Sequence, residues 1–218
     1  MINNTFDDSG GNAITEALHV GALRYPGGTM SNVFNPQLGR YDMSALSKGS
    51  YAKFAPFARD IRDANPTGTY SAARFLKGAG GRANSTIWDL NVYSMNASAA
   101  CAQISYIASL AQQQPGPVFL ELGNELYDSG QGKPRFPNGS VYAAAMAEIV
   151  ACARKALPTA RICACGYGGT APTTWTQEVS KRKDLFDAVS MHVYSPGTST
   201  VSESIPQKQP VIKSSYMY

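Results

Sequence analysis

The pair Asn124-Glu125 follows an apolar run, Val118-Phe119-Leu120-Glu121-Leu122, with a single glycine between them. Runs of that kind read as buried strands, and in parallel α/β folds the reactive groups gather at the C-terminal strand ends. A carboxyl group held there, partly out of water, can hand a proton to a leaving oxygen. Asn124 beside it can donate a hydrogen bond to a sugar hydroxyl. Cleaving a glycoside takes a second carboxyl group across the scissile bond, acting as nucleophile or as base for water. An Asn-Glu pair standing alone also reads as a helix N-cap with a first-turn carboxylate. The glycine and the apolar strand ahead of it turn the reading toward a site. Other strand ends offer Arg24 to Thr29, Asn91, Gly166-Tyr167, and then His192 and Tyr194. Each has a plainer reading too. His192 can be a hydrogen-bonded core histidine, Tyr194 a strand terminus, and Arg24 the partner of a core carboxylate. Glu121, inside its strand, reads as structural.

These residues need elements to carry them. Short strands are expected near residues 23, 87, 118, 161 and 189, the second spanning Thr86–Tyr93 and the last Phe186–Tyr194. Helices are expected over Ile14–Ala22, over Tyr51–Ala64 with Pro56 as a kink or true start, and over Tyr70–Lys77. Three more follow: one capped by Ser98 and carrying Cys101, Ile104, Ala108 and Ala111, one with the stripe Tyr142, Met146, Ile149, Ala153 and Leu157, and one over Thr173–Lys183. Asn32 to Asp42 and Asp128 to Ser140 read as loops. Past Tyr194 only Pro210-Val211-Ile212 hints at structure. Strict alternation of strand and helix means a parallel sheet with helical crossovers. Five strands suit either an open doubly wound sheet or part of a closed (β/α)8 barrel.

Composition narrows the function classes. Of 218 residues, 44% are hydrophobic and 16% charged, below the ~25% charge of ordinary domains, which excludes a disordered polyelectrolyte. Nineteen Lys and Arg against fifteen Asp and Glu leave +4, scattered apart from Lys181-Arg182-Lys183, so no nucleic-acid stripe is present. The most apolar stretch, Val141 to Leu157, is broken by Glu148, Arg154 and Lys155, which argues against a membrane span. Gly78-Ala79-Gly80-Gly81 and Gly166-Tyr167-Gly168-Gly169 lack phosphate-cradling spacing, and no G-x-S-x-G occurs. The four cysteines, Cys101, Cys152, Cys163 and Cys165, form no C-x-x-C pair, so zinc is disfavoured and buried free thiols are expected, with a disulfide as the alternative. N-x-S/T sequons at Asn3, Asn84, Asn96 and Asn138 lean toward a secretory route, although Met1 to Thr5 has no signal-peptide character.

Two segments resemble a known group of enzymes. Phe119-Leu120-Glu121-Leu122-Gly123-Asn124-Glu125 resembles the fourth-strand motif of clan A glycoside hydrolases, which share a (β/α)8 barrel. Leu23-Arg24-Tyr25-Pro26-Gly27-Gly28-Thr29 with Phe34-Asn35-Pro36 is similar to the second strand of the heparanase-like family 79, and Leu90-Asn91 and Ser190-Met191-His192-Val193-Tyr194 fall in order for its third and sixth. The resemblance implies a retaining mechanism on a β-linked uronic acid in an oligosaccharide or glycoconjugate, with no cofactor. It makes Glu125 the acid/base and Asn124 its sugar-binding neighbour. Arg24 would orient the nucleophile, and His192 and Tyr194 would line the same mouth. A secreted or lysosome-like setting goes with it.

The nucleophile of that family, on strand seven, has no counterpart. Only 24 residues follow Tyr194, fewer than the roughly 30 a βα unit takes, and Glu203 falls in the loop after strand six. The expected fold is therefore an incomplete (β/α)8 TIM barrel with about strands two to six, over residues 1–194, and an irregular tail over 195–218. Such a chain alone is expected to be inactive. The alternatives are a glycan-binding pseudoenzyme, and an open-sheet α/β protein in which Glu125 and His192 do not converge.

Overall fold

The computed structural model describes residues 13, 15–47, 49–64, 70–78, 82–112, 116–169, 174–193 and 213–217. Its main sheet holds β1 (Leu23–Tyr25), β4 (Thr86–Asp89), β5 (Val118–Leu122), β6 (Arg161–Tyr167), β7 (Ala188–Val193) and β8 (Lys213–Met217), in that spatial order. A small antiparallel pair, β2 (Phe34–Asn35) and β3 (Arg40–Tyr41), lies in the segment expected to be loop. All neighbours from β1 to β7 are parallel. Each new strand adds to the same edge. A doubly wound sheet reverses its strand order at a switch point, and this one does not; one-way winding is barrel geometry. The open-sheet alternative fails on this ground.

The helices are α1 (Ala55–Ala64), α2 (Ala72–Lys77), α3 (Ala97–Ala111), α4 (Gly139–Ala156) and α5 (Trp175–Ser180). Pro56 marks a true start: residues 49–54 are 3-10 helix, and Pro56 falls in the first α turn, where its missing N–H costs no hydrogen bond. The helix expected over Ile14–Ala22 is one short turn ending at His19, whose φ is +45°. Helix α3 begins earlier than a Ser98 cap would allow, because Asn96 Oδ1 accepts from Ala99 N at 2.9 Å. Asn138 caps α4 in the same way through Val141 N at 2.9 Å. Two of the four sequon asparagines thus serve as N-caps; Asn3 lies outside the described residues. Strand β4 stops at Asp89, four residues short of expectation. Past it the Asn91 side chain turns the chain, bonding Phe34 O and Ser94.

The tail needs a correction. Within 195–218, expected to be irregular, Lys213–Met217 is an extended segment paired antiparallel with β7. Pairing through main-chain groups asks for no apolar alternation, so composition gave no sign of it. Among the described residues no helix is long and apolar enough to cross a membrane.

The sheet's two faces differ in kind. Tyr25, Trp88, Leu120, Leu122, Ile162 and Ala164 lie in the buried core packed by the helices. Tyr25 stacks on Phe75 of α2 at 4.7 Å and meets Trp88 edge-on at 5.6 Å. Alternate positions fall on the other, concave face, where register aligns Asp89 with Glu121, Glu121 with Cys163, Cys165 with Ser190, and Tyr167 with His192.

A disulfide joins α3 to α4 between Cys101 and Cys152, 51 residues apart, while Cys163 and Cys165 are free and buried. The free-thiol reading holds for two of the four. A cross-link of that span restricts the unfolded chain by about 4 kcal/mol in the loop-entropy picture. The double variant Cys101→Ser/Cys152→Ser is therefore expected to lose up to about 4 kcal/mol in urea unfolding, with a steeper denaturant slope as the unfolded chain expands.

Candidate active site

Glu125 stands one residue past the main-chain turn that ends β5. Gly123 has φ +87°, and a Cβ there would meet Leu126 Cδ1 at 2.5 Å. Glu125 itself has φ +47°, a costly backbone for a non-glycine residue that persists only where its surroundings fix it. The surroundings do fix it. Buried Asn32 uses its side-chain amide as a surrogate strand: Oδ1 accepts from Asn124 N at 2.9 Å and Nδ2 donates to Asn124 O at 2.7 Å and to Tyr51 OH at 2.8 Å. Tyr142 OH donates to Leu122 O at 2.8 Å, and Cys165 Sγ accepts from Leu126 N at 3.3 Å.

The carboxyl group so positioned is largely enclosed, with a side-chain exposure of 14%. Tyr127 OH donates to its Oε1 at 3.1 Å and Gln131 Nε2 to its Oε2 at 3.2 Å. His192 Nδ1, arriving from β7, lies 3.2 Å from Oε1. Gln131 Oε1 also accepts from Asn124 Nδ2 at 3.4 Å.

Behind this rim is a buried charge cluster. Arg24 Nε donates to Glu121 Oε2 at 2.5 Å, and its Nη2 lies 2.8 Å from Asp89 Oδ2 and 3.0 Å from Asn124 Oδ1. Ser190 Oγ donates to Glu121 Oε1 at 2.6 Å, and His192 Nε2 sits 3.6 Å from the same oxygen, at the edge of hydrogen-bond reach. Burial alone would raise the Glu121 carboxyl, but contacts from His192, Arg24 and Ser190 outweigh it and hold it below its ordinary value. Asp89 goes the other way: burial, only partly offset by Arg24 and reinforced by the Glu121 charge, pushes it up to about 7. Contacts with Glu121 and then Glu125 push His192 up to about 9. Burial also drives the Cys165 thiol far up, which leaves it an inert packing group.

The structure therefore brings Arg24, Asn124, Glu125 and His192 together; Tyr194 and Glu203 lie outside the described residues. Arg24 does pair with core carboxylates, as its plainer reading had it. Glu121 is more than strand filling, since it touches both cations of the cluster. Asp89, Asn32, Tyr127, Gln131 and Ser190 went unnoticed in sequence. A signal existed for Glu121 and Asp89, because a carboxylate within an apolar strand demands a buried cation. None existed for Asn32. A cavity of about 500 Å³, lined by Val179, Phe186, Val189 and Met191, opens on the helix side of β7 and does not include Glu125. Among the described residues no cluster of metal-ligating side chains occurs.

No family model and no curated protein matches the sequence. Solved structures do match. A family 51 α-L-arabinofuranosidase from Bifidobacterium longum aligns with a TM-score of 0.59 at 19% identity, over 85% of this chain and 38% of that one. The Thermotoga maritima α-L-arabinofuranosidase, in an arabinose complex, gives 0.57 at 18%, over 88% and 41%. The thermostable family 51 enzyme of Thermotoga petrophila gives 0.58 at 18%, over 87% and 41%. At these identities the likeness shows the fold, that of an incomplete TIM barrel. This chain spans about two fifths of the length of those enzymes.

Two outcomes follow from the cluster. Asn32→Ala strips paired groups from Asn124 and Tyr51, at about 1–3 kcal/mol for each buried group left unsatisfied, so urea unfolding should show a loss of roughly 3 kcal/mol. His192 carries a proton in the folded chain up to about pH 9 against 6.5 ordinarily. Its contribution is full below pH 6.5 and disappears as pH rises through 9. Unfolding free energies measured from pH 6 to 10 should fall across that window in the parent chain and stay flatter in His192→Gln.

Proposed function

We propose that the chain carries the acid/base half of a retaining glycoside-hydrolase site. Glu125 gives a proton to the departing oxygen, and Asn124 and Tyr194 contact the sugar. Arg24 and His192 set the electrostatics of the mouth. The observation behind this reading is the convergence of Glu125 and His192, 3.2 Å apart, at the C-terminal ends of parallel strands in a barrel-type sheet. The three solved relatives in fold are named arabinofuranosidases, which supports sugar chemistry at that end.

On this reading the nucleophile comes from outside the described residues. Asp89 and Glu121 have side-chain exposures of 0% and 2% and are bound to Arg24, so neither can reach an anomeric carbon. Both cations of the mouth are engaged by carboxylates, which favours a neutral glycoside such as an α-L-arabinofuranoside. The β-glucuronide implied by the family 79 resemblance is the second candidate, and it requires a cation from outside the described residues.

The test supplies the missing group. The 218-residue chain is expected to leave phenyl α-L-arabinofuranoside and phenyl β-glucuronide intact in buffer. Added azide should attack the anomeric carbon as the phenoxide departs with the Glu125 proton, giving a glycosyl azide of inverted configuration. Glu125→Gln should lower that rescued rate by about 10²-fold or more. Rescue indifferent to Glu125→Gln would sink the assignment. Robust turnover without azide would sink the claim that the nucleophile is missing. Saturable oligosaccharide binding with no product in any arm would favour a glycan-binding pseudoenzyme.

A further inference from the structure

We infer that Glu121 is a positioning residue that holds His192 as the doubly protonated imidazolium, so that the proton destined for the leaving group rests on His192 and not on Glu125. The inference takes its functional meaning from the glycosidase reading, but the arrangement of charges stands without it.

The argument is one of donors and acceptors. His192 presents a carboxylate oxygen to each ring nitrogen: Glu121 Oε1 at 3.6 Å from Nε2, and Glu125 Oε1 at 3.2 Å from Nδ1. A neutral imidazole has one N–H and one lone pair, so either tautomer would set a lone pair against an oxygen. Only the cation satisfies both sides. Glu121 is the poorer resting place for that proton, because the Arg24 guanidinium is paired with its Oε2 and favours the carboxylate. Glu125 likewise receives Tyr127 OH and Gln131 Nε2, partners suited to a carboxylate.

Other groups around the ring fit the same state. Arg24 from β1 opposes the charge on His192, and Asp89 from β4 favours it. Tyr167 is its register neighbour on β6, and Ser214 is its backbone partner on β8. Ser190, two residues earlier on β7, directs its hydroxyl to Glu121. Glu121 is the deeper of the two carboxylates, with 2% side-chain exposure against 14% for Glu125, and so the less screened by water. In turnover the Nδ1–H bond breaks and a proton binds Glu125. Glu125 passes it to the departing oxygen, leaving a carboxylate and a neutral imidazole. With azide as the attacking group, the glycosyl azide leaves and a proton from solvent restores the imidazolium.

The chain has two histidines, which makes the test direct. With selective ¹⁵N-histidine labelling of the full chain, exposed His19 serves as the internal reference. His192 is expected to show two N–H-type nitrogens at pH 7.5. Glu121→Gln should lower its proton affinity at least tenfold, with the His19 signals unchanged, and Glu121→Asp should restore part of the loss. Should Glu121→Gln fail to fold, Glu125→Gln decides: His192 must stay cationic above pH 7, held by Glu121 alone. Co-titration of His192 with His19 in the parent chain overturns the inference, as does an unmoved His192 in folded Glu121→Gln. Loss of the azide response with His192 still cationic counts against the glycosidase reading only.

Discussion

Two carboxylates within one sheet, Asp89 and Glu121, are tolerable because Arg24 enters between them. Removing an ion from water costs several kcal/mol even after the protein relaxes, and one guanidinium cannot fully compensate two such ions. The pair divides accordingly. Glu121 also has Ser190 and His192 and stays ionised. Asp89 has Arg24 but remains close to neutralising, near pH 7. The same Arg24 Nη2 that approaches Asp89 donates to Asn124 Oδ1, so charge balance in the sheet and orientation of the residue beside Glu125 are one requirement.

The second constraint is in the main chain. Between Leu122 and Leu126 the backbone leaves the strand through two positive φ values, at Gly123 and Glu125. A chain in that conformation relaxes unless its N–H and C=O groups are bound elsewhere. Asn32, Tyr142 and Cys165 bind them, from a 3-10 turn, a helix and the neighbouring strand. Three elements distant in sequence thus fix one carboxyl group. Helix α4, which supplies Tyr142, is in turn joined to α3 by the Cys101–Cys152 link, so the covalent bond on the convex side braces the site on the concave side.

What could be read from sequence tracks how local each cause is. Strands β5 and β7 were legible because an apolar run bounded by glycine or polar residues has few other fates. The early starts of α3 and α4 were missed where an asparagine cap precedes the apolar stripe. The Cys101–Cys152 pairing depends on two helices lying side by side, and no spacing rule conveys that. Glu125 was legible from its strand end, whereas Asn32 acts across 92 residues through a side chain that looks like any loop asparagine. Glu121 was read as structural because it lies inside a strand. Its strand position is what points it into the concave face beside His192.

A structural role alone does not account for this cluster. Replacing a buried ion pair by packed apolar groups is often neutral or stabilising, and positive φ at a glutamate is a cost with no return in folding. A sheet selected for stability alone would fill its concave face with Val, Ile and Leu, the layered packing ordinary in barrels. Here that face carries Arg24, Asp89, Glu121, Ser190 and His192, crowded toward the end where the strands finish. The cost is concentrated around one carboxyl group, Glu125, which is enclosed on its protein side by three donors and retains 14% exposure. That distribution supports the proposed proton transfer to a bound molecule, a role that folding by itself does not call for.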